Sequence, residues 1–159
     1  LKPSIYSIGG IALAVGMLLV ARLYDKILNI EWFFRISLLV ESVLLFVMLI
    51  FLLHPYNYQT ALLVYIGYQV TFVFGSYLVR AETIIAKDDS LLTAIDTAKQ
   101  LGYLFGMGLS YLFYKIVEHY GISENKEQVY DLHFVLVGVE LFIIFTIIQS
   151  FRKSTNETL

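Results

Sequence analysis

Glu41 and Glu140 each lie in the middle of a long apolar run. An ionisable side chain at the centre of a lipid-embedded helix costs about 2.5–3.5 kcal/mol on insertion scales. Such a carboxyl either takes up and releases a proton or small cation, or is satisfied by a neighbouring helix, or stays protonated. Glu41 and Glu140 are therefore ion-coupling candidates. Two other runs carry polar and aromatic residues at helical spacing. One holds Tyr58, Tyr65, Gln69, Phe72, Ser76 and Arg80. The other holds Asp96, Lys99, Gln100, Tyr103, Met107, Ser110 and Tyr114. At about 100° per residue each set falls on one helix face. Their hydroxyls, amides, ammonium and rings suit an organic solute with apolar and hydrogen-bonding parts. They would serve equally for bonding between helices.

The parts of most hydrolytic and redox chemistry are missing. With no cysteine, disulfides, thiolate metal sites and cysteine nucleophiles are excluded. His54, His119 and His133 show no H-x-x-x-H or H-E-x-x-H spacing, so they make no zinc-protease motif. No G-x-S-x-G nucleophile turn occurs. No enzyme activity, metal or cofactor is expected. A net charge of −2 gives no basic field for nucleic acid.

The elements that position these residues follow from composition. Of 159 residues, 58% are hydrophobic and only 15% charged, with a mean hydropathy of +0.75. The apolar residues come in blocks, and a bilayer core of about 30 Å needs about 20 mostly apolar residues to be crossed as a helix. Five blocks qualify, at about 3–23, 31–53, 58–79, 91–117 and 129–151. Residues 43–51 do not alternate, which excludes the strands of a membrane barrel. Helices satisfy their own backbone polar groups in lipid. The expectation is an all-α polytopic bundle over residues 1–153, with a short tail at 154–159. The first block ends in Arg22 and Lys26 and has no small-residue cleavage site, so it is no signal peptide. The chain starts on Leu1, which suggests a piece of something longer.

Small residues at Gly9, Gly10, Ala12 and Gly16 allow close helix approach, as do Gly67 and Gly75. The pair Gly102 and Gly106 lies off the polar stripe of its helix. Trp32 suits the membrane interface, and Arg35 can reach back to the same surface. Asp96 and Lys99 are spaced to pair. Basic residues fall at Arg22/Lys26, Arg80/Lys87/Lys99 and Arg152/Lys153, in alternate connections. The positive-inside rule then makes those connections cytoplasmic. The N-terminus is expected outside and the C-terminus cytoplasmic, in a plasma or inner membrane.

The turn Ala21-Arg22-Leu23-Tyr24-Asp25-Lys26 resembles the loop motif of the major facilitator superfamily, G-x-L-a-D-[RK]-x-G-[RK]-[RK]. Leu23, Asp25 and Lys26 match. Ala21 replaces a glycine, and Leu28, Asn29 and Ile30 depart from the glycine and two basic residues. The chain as a whole resembles the last five helices of such a transporter. That resemblance implies that the first, third and fourth helices border a central cavity, with Tyr65, Gln69, Lys99, Gln100 and Tyr103 facing it. It places Glu41 and Glu140 on outer helices, which argues against a central ion-coupling role and ranks them behind the cavity-facing residues. It makes Arg22, Asp25 and Lys26 a gating loop, with Asp25 accepting bonds from helix-terminal N–H groups.

The expected function is part of a secondary active transporter, moving a small organic solute by alternating access with protons as the coupling ion. The expected partners are the lipid bilayer, the solute, protons, and the N-terminal half of the same transporter. A non-catalytic membrane subunit or assembly factor is the alternative from another class, and an intramembrane enzyme is a third.

Overall fold

The computed structural model describes residues 2–156, all but the turns between elements in helix. The elements are α1 (Pro3–Arg22), a single turn α2 (Tyr24–Ile27), α3 (Ile30–Leu53), α4 (Tyr58–Ala86), α5 (Asp89–His119) and α6 (Asn125–Asn156). No strand occurs among the described residues. The all-α architecture expected from the apolar blocks is therefore present.

Among the described residues four helices are long and apolar enough to cross a membrane: α1, α3, α4 and residues 125–152 of α6. The fifth expected span, α5, is 31 residues long but does not meet that test. Its longest stretch free of charge is residues 100–114, bounded by Lys99 and Lys115. That stretch is shorter than the ~20 residues a bilayer core demands.

Side-chain caps place the ends. Pro3 stands in the first turn of α1, where its missing N–H has no partner to lose. Asn29 accepts from the Trp32 amide at 3.0 Å and donates to the Lys26 carbonyl at 2.9 Å. It thus joins the turn α2 to the start of α3. Asn57 caps α4 through the Thr60 amide at 2.7 Å, and the buried Thr60 hydroxyl donates to the His54 carbonyl at 2.6 Å. Asp88 caps α5 through the Ser90 amide at 3.0 Å.

The polar segment 80–90, expected as a loop, is mostly helix. α4 continues to Ala86 because Ala81 and Ala86 pack inward. The chain turns only at Lys87, whose φ of 54° is left-handed and cannot continue a right-handed helix. Likewise α6 runs past the expected 151 to Asn156, so part of the anticipated tail is helical. Residues 157–159 lie outside the described residues.

α4 is the central helix. It packs on α1 along one side and on α3 along another, and α3 packs in turn on α6. α5 only grazes α4 and α6 and buries none of its residues. Small residues make the central seams. Gly16 meets Val73, and Gly67 meets Val47 so closely that neither glycine has room for a Cβ. The best-buried cluster lies at one end, where Val20, Ile27, Ile36, Val40, Tyr77 and Ala81 close around the turn α2.

Aromatic contacts bind the two ends. At one end Phe34 meets Phe151 at 4.6 Å and Tyr24 meets Tyr77 at 6.3 Å. At the other Phe51 stacks on His133 at 4.2 Å, Tyr6 meets Tyr65 at 5.3 Å, and the Tyr56 hydroxyl donates to the Lys126 carbonyl. The helices alternate in direction, so Arg22, Lys26, Lys87 and Arg152 gather at the first end.

Candidate functional site

The polar stripe of α4 divides between two surroundings. Tyr65 and Gln69 turn toward α1. They line a groove of about 420 Å³ between α1 and α4 whose other walls are apolar, among them Ile8, Leu13, Ile66 and Val73. Gly9 forms the wall behind Tyr65: a Cβ there would stand 2.1 Å from the Tyr65 hydroxyl oxygen. The Tyr65 hydroxyl reaches the Tyr6 carbonyl at 3.4 Å. Gln69 Oε1 is sealed from solvent without a hydrogen-bond donor. An amide oxygen held this way in an apolar groove carries an unmet desolvation cost.

Farther along α4, Ser76 and Arg80 face outward. With Gly75, Val79, Thr83 and Ile84 they line an open recess of about 660 Å³. The Arg80 guanidinium lies over the Tyr24 ring at 5.7 Å, a cation–π contact.

Lys99 of α5 is held by Glu82 of α4, its ammonium donating to both carboxylate oxygens at 2.6 and 2.8 Å. The expected partner Asp96 stands farther off at 3.9 Å. Glu82 wins because it reaches the ammonium with both oxygens, whereas Asp96 is three residues back on the same exposed face. Gln100 and Tyr103 lie exposed on α5, Tyr103 at 67%. A Cβ added at Gly102 or Gly106 would meet nothing within 4 Å. The five solute-site candidates thus divide into a groove pair (Tyr65, Gln69), a clamped ammonium (Lys99) and an open pair (Gln100, Tyr103).

The turn at Arg22, Asp25 and Lys26 is exposed. Asp25 stands in the first turn of α2. What fixes the turn is Tyr77 of α4. It is fully buried, and its hydroxyl donates to the Ile27 carbonyl at 2.7 Å. Sequence periodicity passes over Tyr77 because it lies off the polar stripe, next to Ser76.

No protein-family model, curated protein or solved structure matches this chain.

Functional weight therefore rests on the residues themselves. Glu140 is buried, at 4% exposure, and the carboxyl facing it is Glu41 of α3. The two ion-coupling candidates, read separately from the sequence, meet across the α3–α6 seam. His133 lies seven residues from Glu140 and does not take part. Its Nδ1 lies 2.7 Å from the Val129 carbonyl, and its ring stacks on Phe51.

Proposed function

We propose that this chain forms part of a secondary active transporter for a small organic solute. The observation that carries the proposal is the open polar face of α4 and α5. Lipid cannot meet the hydrogen bonds of Ser76, Arg80, Gln100 and Lys99, so such a face belongs against a watery cavity or another helical unit. The α1–α4 groove supplies apolar walls, the Tyr65 ring and the Gln69 side-chain amide, and that mixture suits a ligand with apolar and hydrogen-bonding parts. A second helical half, packed opposite, would complete the cavity, and the basic end of the bundle would face the cytoplasm. Rocking of the two halves around this face, driven by a proton gradient, is the alternating-access scheme the resemblance to the major facilitator superfamily implies.

The absence of cysteine gives a direct test, because single cysteines can be introduced without background. In native membranes, cysteines replacing Ser76, Gln100 or Tyr103 should react with a membrane-impermeant thiol reagent, and one replacing the exposed Phe46 should not. Protection of all three would place the face against a permanent partner and favour a non-catalytic membrane subunit. In proteoliposomes of the full source protein, an imposed proton gradient should drive uptake of one class among sugars, nucleosides, peptides and organic cations. Gln69→Ala and Lys99→Ala should each reduce it at least tenfold. Uptake of the responsive class that is indifferent to both variants would refute this site.

A further inference from the structure

We infer that Glu41 and Glu140 form a one-proton site that latches α3 to α6, outside the face assigned to the solute. The placement comes from packing. α3 and α6 run antiparallel, and aromatic pairs fix their register at both ends, Phe34 on Phe151 and Phe51 on His133. Within that register Glu41 and Glu140 fall between the two anchors, about a turn apart, near enough for their side chains to meet. Glu140 is 4% exposed, and Glu41 is half-buried.

Among the described residues no other group neutralises the pair. Glu140 Oε1 is sealed from solvent, and no amide, hydroxyl or cation of the described residues donates to it. The nearby hydroxyls of Ser42 and Thr146 are bonded to the Leu38 and Phe142 carbonyls of their own helices. On α3, Arg35 is paired with Glu31. On α6, His133 is turned to the Val129 carbonyl. On α4, Arg80 and Glu82 belong to the far end and to Tyr24 and Lys99. On α5, Lys115 is paired with Glu118. Two carboxyls in contact without a cation cannot both be ionised. The arrangement that satisfies both is one proton, carried on an oxygen of one carboxyl and donated in a hydrogen bond to an oxygen of the other. Release of that proton to water leaves two facing carboxylates, whose repulsion in this setting opens the seam. Proton occupancy would then set how tightly α6 is held to α3.

As a proton site the pair stands whether or not the chain transports anything; as the coupling site it rests on the transport proposal. The test therefore uses no solute. Glutamate labelled with 13C at Cδ is followed by NMR against pH, in the full source protein in lipid nanodiscs. Glu41→Gln and Glu140→Gln identify the two signals. Both signals should move together through the same two pH steps, as a coupled pair does. Removal of either carboxyl should collapse the other's titration to one step and move its midpoint by a pH unit or more. Independent single-step titrations in the unsubstituted protein overturn the site. So does a Glu140 midpoint that Glu41→Gln leaves in place. Neither result depends on uptake, so a failed latch and a failed transporter are told apart.

Discussion

Gly67→Ala probes the seam on which the bundle depends. Gly67 of α4 faces Val47 of α3, and an added methyl carbon would stand 2.2 Å from Val47 Cγ2. Unstrained carbon pairs sit at about 3.5–4.0 Å, so the two helices must part by more than about 1 Å or Val47 must turn. Val47 is β-branched and held in one rotamer on a helix. It is also buried, so turning does not relieve the contact. Overpacking of this kind costs about 1–3 kcal/mol, or a factor of about 5 to 150 in the unfolding equilibrium. Reversible unfolding in mixed micelles, titrated with sodium dodecyl sulfate and followed by Trp32 fluorescence, measures it. Gly75→Ala is the control, because nothing lies within 4 Å of its added carbon. It should be neutral, or more stable by up to about 1 kcal/mol through helix propensity. Val47→Ala combined with Gly67→Ala should recover most of the loss, since it removes the opposing methyls. If Gly67→Ala is as stable as Gly75→Ala, or if the double variant shows no recovery, α3 and α4 do not pack through this glycine.

Tyr77→Phe should cost about 0.5–1.5 kcal/mol, one net hydrogen bond, in the same unfolding assay. The Ile27 carbonyl keeps its bond from the Asn29 amide at 2.8 Å. Tyr77→Ala also empties a fully buried site and should cost about 3–5 kcal/mol; equal losses in the two variants would remove the packing role of the ring. The Asp88 carboxyl is held below its usual range by the Ser90 hydroxyl and then by the Ser90 amide. A depressed folded value means that the cap contributes fully above the ordinary carboxylate range and is lost as pH falls through the folded value. Amide exchange at Ser90 and Leu92, corrected for intrinsic rate, should lose protection on acidification in the unsubstituted chain and stay flat in Asp88→Asn. Gly9→Ala must displace the Tyr65 ring, whose hydroxyl oxygen would lie 2.1 Å from the new carbon. It should weaken solute uptake at least as much as Tyr65→Phe, and equal uptake in Gly9→Ala and the unsubstituted protein would take Tyr65 out of the site.

How far the chain could be read in advance depended on the range of each signal. The apolar runs located α1, α3 and the core of α6 to within a few residues, because lipid burial is written into local composition. The end of α4 is not legible in this way, because charges at Arg80 and Glu82 suggest a loop while Ala81 and Ala86 carry the helix on. α5 reads as a span from its apolar stretch alone, although Asp96 and Lys99 shorten that stretch. Partners across helices were not legible. The spacing of Asp96 and Lys99 does bring them together, at 3.9 Å, but the closer partner of Lys99, Glu82 at 2.6 Å, comes from another helix, which local spacing does not display. Glu41 and Glu140 were each recognised as costly. Their meeting depends on the register of α3 against α6, which the Phe34–Phe151 and Phe51–His133 contacts fix.

The Lys99–Glu82 bridge also bears on how this protein is made. Alone, α5 is a poor candidate for entry into a membrane, since the charges at Asp96, Lys99, Lys115 and Glu118 leave its uncharged stretch shorter than the ~20 residues a bilayer core demands. The bridge joins two helices connected only by the short turn at Lys87 and Asp88. If α4 and α5 leave the insertion channel together as a hairpin, each charge meets its counterpart before either meets lipid. The order of synthesis then matters: α4 must wait for α5. A ribosome pause between them, or a cut in the turn, would strand Glu82 without its cation, and the quality-control machinery of the membrane would meet a half-inserted chain.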